Sequence, residues 1–250
     1  DGIEADLDLS GGYHDAGDHG KFGFPLAATI TNLAWGAIEY KDAYEKSGQL
    51  AYILETIKWG TDWMLKAHTS PNEYWGHIGD VSADHSFWGA PELLETIGIA
   101  RTPYKIDTSK PGSDLAADTA AALAAASIVF KDINPSYSSE MLYHAKQLYS
   151  FADNYRGLYH ESISEIASFY KSWSGYNDEL VWGAAWLYKA TGDTSYLNKA
   201  EEAMSAFKAP VEFSWDDKWA ASTLLMAELT NNSNYKNMIK NFLDLYVKGS

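Results

Sequence analysis

Two carboxylates, Asp15 and Asp18, stand three residues apart in the stretch Asp15-Ala16-Gly17-Asp18-His19-Gly20-Lys21-Phe22-Gly23. Glycines at positions 11, 12, 17, 20 and 23 argue against a helix here, since each costs about 1 kcal/mol relative to alanine in a helix interior. The segment is therefore read as a loop, where a carboxylate can be aimed at a water or a substrate instead of being solvated on a helix face. Paired carboxylates so placed suit general acid and base chemistry. The same residues also suit plain turn formation, with each aspartate accepting from nearby backbone N–H groups. Spacing alone does not separate the two readings.

Three later blocks hold further chemistry. Ala83-Asp84-His85-Ser86-Phe87-Trp88-Gly89 sets an imidazole and an indole three residues apart, His85 and Trp88, able to face one cleft. Phe169-Tyr170-Lys171-Ser172-Trp173 presents aromatic rings. Directly after it, Ser174, Gly175, Asp178 and Glu179 concentrate oxygen donors, a composition that suits calcium, which takes about six to eight hard oxygen ligands in irregular geometry. Asp178 and Glu179 equally suit the first turn of a helix, where they would favour its dipole. A zinc set of His14, Asp15, Asp18, His19 and His85 has the right residue types but lacks recognisable ligand spacing.

Together with Trp215-Asp216-Asp217-Lys218 and the flanks of the first loop, Asp8 to Ala27, these blocks occur in one order, and the chain resembles glycoside hydrolase family 9 along nearly its whole length. The resemblance implies an all-α (α/α)6 toroid of helical hairpins and an inverting endo-β-1,4-glucanase acting on cellulose or related β-1,4-glucans. It implies that Asp18 is the general base that activates water and that Asp15 helps hold that water. By the same resemblance His85 and Trp88 contact glucosyl units next to the cleavage point, and Tyr170 and Trp173 form sugar subsites. Ser174, Gly175, Asp178, Glu179 and Asp216 are implied to hold a structural calcium ion.

The departures from the family pattern carry their own expectations. An inverting glycosidase needs a second carboxyl as acid. In the family that acid is a Glu in a segment beyond the point where this chain stops, at Ser250, and the family's first helix is also missing. Residues 1–250 are thus expected to form a single partial catalytic domain of about five of the six hairpins, inactive in isolation. Position 211 is Val where relatives often place a binding-site Trp, at the expense of one distal subsite. The alternative is a non-catalytic glycan-binding or helical scaffold protein derived from the same fold.

The elements that must position these residues are mostly helical. Apolar periodicity predicts helices near 26–46, 50–67, 114–131, 136–154, 178–190, 195–207, 217–229 and 234–247. Ser47-Gly48, Asn134-Pro135, Gly192-Asp193-Thr194 and Asn231-Asn232-Ser233 provide the stops and caps. A tyrosine near four helix starts, at 52, 137, 196 and 235, marks a loose hairpin repeat. Leu115 to Phe130 and Leu180 to Tyr188 are apolar around most of their circumference, whereas 136–154, 195–207 and 234–247 are amphipathic. That alternation predicts an inner and an outer ring, with a superhelical repeat array as the structural rival. Residues 69–113 read as functional loops framing one short helix near 91–97.

Composition narrows the class. A net charge of −15 disfavours nucleic acid as a partner and points to a neutral or cationic ligand. Ten Trp suit stacking on sugar faces, although at least half are expected in the core. The absence of cysteine excludes disulfides and thiol chemistry without locating the protein. No stretch reads as long and apolar enough to span a membrane. The expected setting is a secreted monomer, when complete, whose signal peptide lies outside this chain.

Overall fold

Helices carry most of the chain in the structure, a computed structural model that describes residues 1–247. In chain order they are α1 (Gly23–Glu39), α2 (Lys41–Lys46), α3 (Leu50–Ala67), α4 (Val81–His85), α5 (Leu94–Ile97), α6 (Ser113–Phe130), α7 (Pro135–Asn154), α8 (Tyr159–Ser162), α9 (Asn177–Thr191), α10 (Thr194–Ala203), α11 (Trp219–Thr230) and α12 (Ser233–Val247). Local chemistry sets their ends. Asn134 caps α7 by accepting from the Tyr137 N–H, and Asp193 caps α10 by accepting from Ser195. Gly192 and Asn231 close α9 and α11 in the left-handed region, at φ 73° and 56°. The segment predicted as one helix over 26–46 breaks at Tyr40, and that predicted over 195–207 tightens into a 3-10 turn at Met204–Ala206.

The long helices pack as pairs, α1 with α3, α6 with α7, α9 with α10 and α11 with α12. The first member of each pair also packs on its neighbour, α1 on α6, α6 on α9 and α9 on α11, so these four form the inner layer. Sequence pattern explains the sorting. In α6, alanines are fully buried along the whole helix and admit neighbours on every side, whereas α10 buries only Ala200 and α12 turns its charges outward. The fold is the all-α hairpin architecture expected. Its long helices make four pairs among the described residues, and the segment between α3 and α6 adds shorter elements.

That segment corrects the reading of 69–113 as loops. Residues 91–97 do form a short helical stretch, a 3-10 turn at Pro91–Leu93 followed by α5. Beside it lies a three-stranded antiparallel sheet, ordered β1 (Lys21–Phe22), β2 (Glu73–Ile78), β3 (Pro103–Asp107), with Lys21 opposite Ile78 and Glu73 opposite Asp107. β2 packs on α1 and α3, and its Gly76 approaches Leu115 of α6. A Cβ on Gly76 of β2 would sit 2.2 Å from Leu115, so only glycine lets the strand approach that closely. β1 is the exit of the carboxylate loop, so the sheet anchors that loop to the core.

A second expectation is also overturned. Ser113–Phe130 is by length and composition apolar enough to cross a membrane, contrary to the sequence reading. Its window is 89% buried inside the fold, which is the signature of a core helix.

Candidate active site

Because each pair turns back on itself, the inner helices all begin at one face, and the motif-bearing loops precede them there. The first loop closes on itself: Asp15 N–H donates to the Gly20 carbonyl at 3.0 Å, and Asp18 accepts from Ala16 N–H at 3.1 Å and Gly20 N–H at 3.3 Å. Asp18 therefore shapes its own turn while remaining half-buried at the surface. Asp15 is exposed and accepts the Tyr170 hydroxyl at 2.5 Å. Desolvation pushes the Asp15 carboxyl above its ordinary range, and Asp18 beside it adds to that, while the Tyr170 bond and His85 oppose them.

The second block reaches the same place. Asp80 caps α4 by accepting from Ala83, and His85 at its end donates Nδ1–H to the Val81 carbonyl at 2.8 Å. That bond fixes the tautomer and leaves Nε2 available to a ligand. The His85 ring lies 4.8 Å from that of Phe169. Trp88, 85% exposed, lies over Gly17 so closely that a Cβ there would meet its ring at 2.3 Å. The sequence shows no sign of this contact between the two blocks. It also gave no reason to single out Asp84, which is 1% exposed and lies beside Asp18: single ligand atoms of Asp18, Asp84 and His85 fall within 4.8 Å of one another.

The aromatic block provides a floor and a rim. Tyr170 is wedged between Phe22 at 4.7 Å and Trp215 at 5.0 Å, and Trp215 also meets Phe24 edge-on at 5.7 Å. Trp173 stands 75% exposed with Lys171 over its ring. The structure thus gathers Asp15, Asp18, His85, Trp88 and Tyr170, with Trp173 at the next turn. The zinc set does not gather as five, since the His19 ring is committed to Asp84 and the Gly89 carbonyl.

The oxygen-rich turn lies behind the rings. Asp216 accepts from the N–H groups of Trp173 and Ser174, and the Ser174 hydroxyl donates to the Asp216 carbonyl at 3.1 Å. Asp178 accepts the Lys218 N–H at 2.9 Å through Oδ2. Its Oδ1 and both oxygens of Glu179 are buried without a hydrogen-bond partner. Those oxygens fit a hard cation, since buried carboxylate oxygens without a hydrogen bond have only the Lys218 ammonium nearby to offset their lost water. Neither residue caps α9 with its side chain, whose first turn has no side-chain cap. Burial drives both carboxyls above their ordinary range, Glu179 well above.

Two further buried groups escaped the sequence reading. Asp114 opens α6 and accepts from the N–H groups of Leu115 and Tyr159, and burial raises its carboxyl to about 8. Asp118, raised by burial to about 6, faces the buried Lys218 ammonium at 3.3 Å, which also lies 3.7 Å from Glu179. Lys218 stood in a quoted motif, but nothing in a Trp-Asp-Asp-Lys string tells that its ammonium turns inward.

Paired helices in two layers, with a carboxylate loop facing aromatic rings, define an all-α hairpin fold that carries a candidate site at one face. The chain matches the sequence pattern of glycosyl hydrolase family 9 along residues 1–250, and it belongs to that family. It is 50% identical over 250 residues to Endoglucanase 7 of Oryza sativa subsp. japonica, covering 98% of this chain and 46% of that protein. It is 47% identical over 253 residues to Endoglucanase A of Bacillus pumilus, covering all of this chain and 38% of the relative. Among solved structures, the endoglucanase of the termite Nasutitermes takasagoensis superposes with a TM-score of 0.91 at 49% identity, over 97% of this chain and 56% of that one. The cellulase Cel9M of C. cellulolyticum in complex with cellobiose matches with a TM-score of 0.89 at 33% identity, over 98% and 57%. The chain spans about half the length of these relatives or less.

Proposed function

We propose that residues 1–250 are the base-bearing part of an inverting endo-β-1,4-glucanase. The observation that carries this reading is the Tyr170–Asp15 bond, which joins the carboxylate loop to the ring platform across 155 positions of chain. Asp18 removes a proton from the attacking water, Asp15 orients that water, and His85, Trp88, Tyr170 and Trp173 hold the flanking glucosyl units. Neutral sugar rings suit this surface, since stacking on aromatic faces is indifferent to the chain's negative charge.

The acid is supplied from outside residues 1–250, in the part of the relatives that this chain does not span. Among the described residues, Asp84 lies within 4.8 Å of Asp18 and is buried against His19. That is closer than the roughly 6.5–9.5 Å between the carboxyls of inverting enzymes. Asp15 is engaged by Tyr170 and sits on the same loop as the base. The protein acts outside the cell, where polymeric β-glucan lies, and as a monomer.

A calcium ion at Ser174, Gly175, Asp178, Glu179 and Asp216 supplies no step. Its role is to bind the turn before α9 to the turn before α11, and so to hold Trp173 in place.

The test uses the polypeptide extended to the length of its relatives. Asp18→Ala should lower hydrolysis of soluble cellulose by about two to four orders of magnitude, and the first product seen by proton NMR should be the α-anomer. Full activity of Asp18→Ala removes the base assignment, and an initial β-anomer removes single displacement. Glycan binding without turnover in the extended protein favours the non-catalytic alternative.

A further inference from the structure

We propose that His19 and Asp84 form a positioning dyad that fixes the bearing of the Asp18 carboxylate; the role of Asp18 as base is the reading it rests on. Asp84 reaches across 65 positions of chain to grip one residue twice: Oδ2 accepts the His19 backbone N–H and Oδ1 meets His19 Nδ1, both at 2.7 Å. The other ring nitrogen, Nε2, faces the Gly89 carbonyl at 3.0 Å. A carboxylate and a carbonyl can only accept. Both bonds are made only when both ring nitrogens carry hydrogen, so the geometry is that of an imidazolium paired with a buried carboxylate.

The pair is closed off from water, His19 at 4% and Asp84 at 1% exposure. Its surroundings complete the clamp. Arg101, which precedes β3, donates to the His19 carbonyl and through Nε to Asp1 at 2.8 Å. Phe87 stacks on the ring at 5.8 Å, its plane inclined by 30°, and His14 meets it edge-on at 5.7 Å. The other charged or titratable groups nearby are His85 on α4 and Asp15, Asp18 and Lys21 on the loop itself.

Position explains why this matters to the base. Asp18 is bonded within its own turn, to Ala16 and Gly20, so its direction follows the loop. His19 is the adjacent residue and ties that loop to α4 and to the Gly89 segment. The imidazolium also offsets the Asp84 charge that lies within 4.8 Å of Asp18. Without it, two carboxylates would face each other with no positive charge between them. The same grip holds α4, which carries His85, and the segment carrying Trp88, in register with the loop.

The test has two arms. In the 250-residue chain labelled with 15N, both ring N–H groups of His19 should be observed and the His19 amide should be protected from exchange. Asp84→Ala should lose both features, and Asp84→Asn should keep the amide protection. A single ring N–H in the unaltered chain, or protection unchanged in Asp84→Ala, overturns the dyad. In the chain extended to its relatives' length, Asp84→Ala should lower kcat by about 100-fold, the scale of a misplaced catalytic group, with KM within threefold and with partial recovery in Asp84→Asn. If Asp18→Ala is inactive while Asp84→Ala keeps full kcat, the dyad fails and the base stands. If Asp18→Ala is itself active, the underlying reading fails instead.

Discussion

Removing one hydroxyl, in Tyr170→Phe, isolates the link between the ring platform and the carboxylate loop. The phenol donates to Asp15 at 2.5 Å, and the ring itself is held by Phe22 and Trp215, contacts that phenylalanine keeps. A hydrogen bond to a charged group contributes about 1.5–3 kcal/mol, or about 1–2 pH units at roughly 1.4 kcal/mol per unit. Asp15 is exposed, so solvent screening reduces this contribution. The sign is fixed by which form the bond favours. It stabilises the ionised carboxylate against the burial that already holds the Asp15 carboxyl above its ordinary range. Losing it moves the titration further up. Carboxyl 13C NMR titration of Asp15 in the 250-residue chain measures this directly, and in the extended enzyme the acid limb of kcat/KM should move to higher pH by the same amount. A titration that is unchanged, or moves down, refutes the reasoning that couples Tyr170 to the water-holding carboxylate.

Millimolar calcium should raise the melting temperature of the chain by mass action on the folded state, chelation should reverse the gain, and Asp178→Ala should abolish the difference. An identical melting curve with calcium and after chelation, with no calcium found by elemental analysis, would leave the orphaned oxygens of Asp178 and Glu179 to ordered water. Stability should also fall on acidification between pH 6.5 and about 4 through His68, whose titration burial lowers to about 4 and whose Nε2 is buried without a partner. The fold favours the neutral ring, so the contribution is complete above 6.5 and disappears as the pH falls toward 4. Urea midpoints at pH 7 and 4.5 should differ less in His68→Gln than in the unaltered chain, and an equal difference would assign the acid sensitivity elsewhere.

Helix pairs were legible because their signals are local: the alanine run of α6, the Asn134 and Asp193 caps and the Gly192 stop each act within a turn. The sheet was not, because β1 is two residues long and β2 is bent at Trp75 and His77, which breaks the alternation that would reveal it. At the candidate site, the structure brings the carboxylate loop, α4 and the aromatic block together. What the chain hides are partnerships between motifs: Trp88 over Gly17, Asp84 on His19, Lys218 turned in toward Asp118. Each depends on tertiary geometry, and the side chain on its own reads as an ordinary surface charge or ring. α6 passes a membrane test of length and composition that the sequence reading denied it, since apolarity measures burial without naming the medium.

The 155-position span of the Tyr170–Asp15 bond has a consequence for how the molecule is made. Helical hairpins such as α6–α7 close over short loops and can assemble early, whereas bringing distant segments together carries the largest loop-closure entropy and comes late. A chain emerging from synthesis would hold folded hairpins well before Tyr170 reaches the loop that waits near its beginning. Until then the acidic loop lacks its aromatic cover, and formation of the Tyr170–Asp15 contact on refolding should lag behind recovery of helix content.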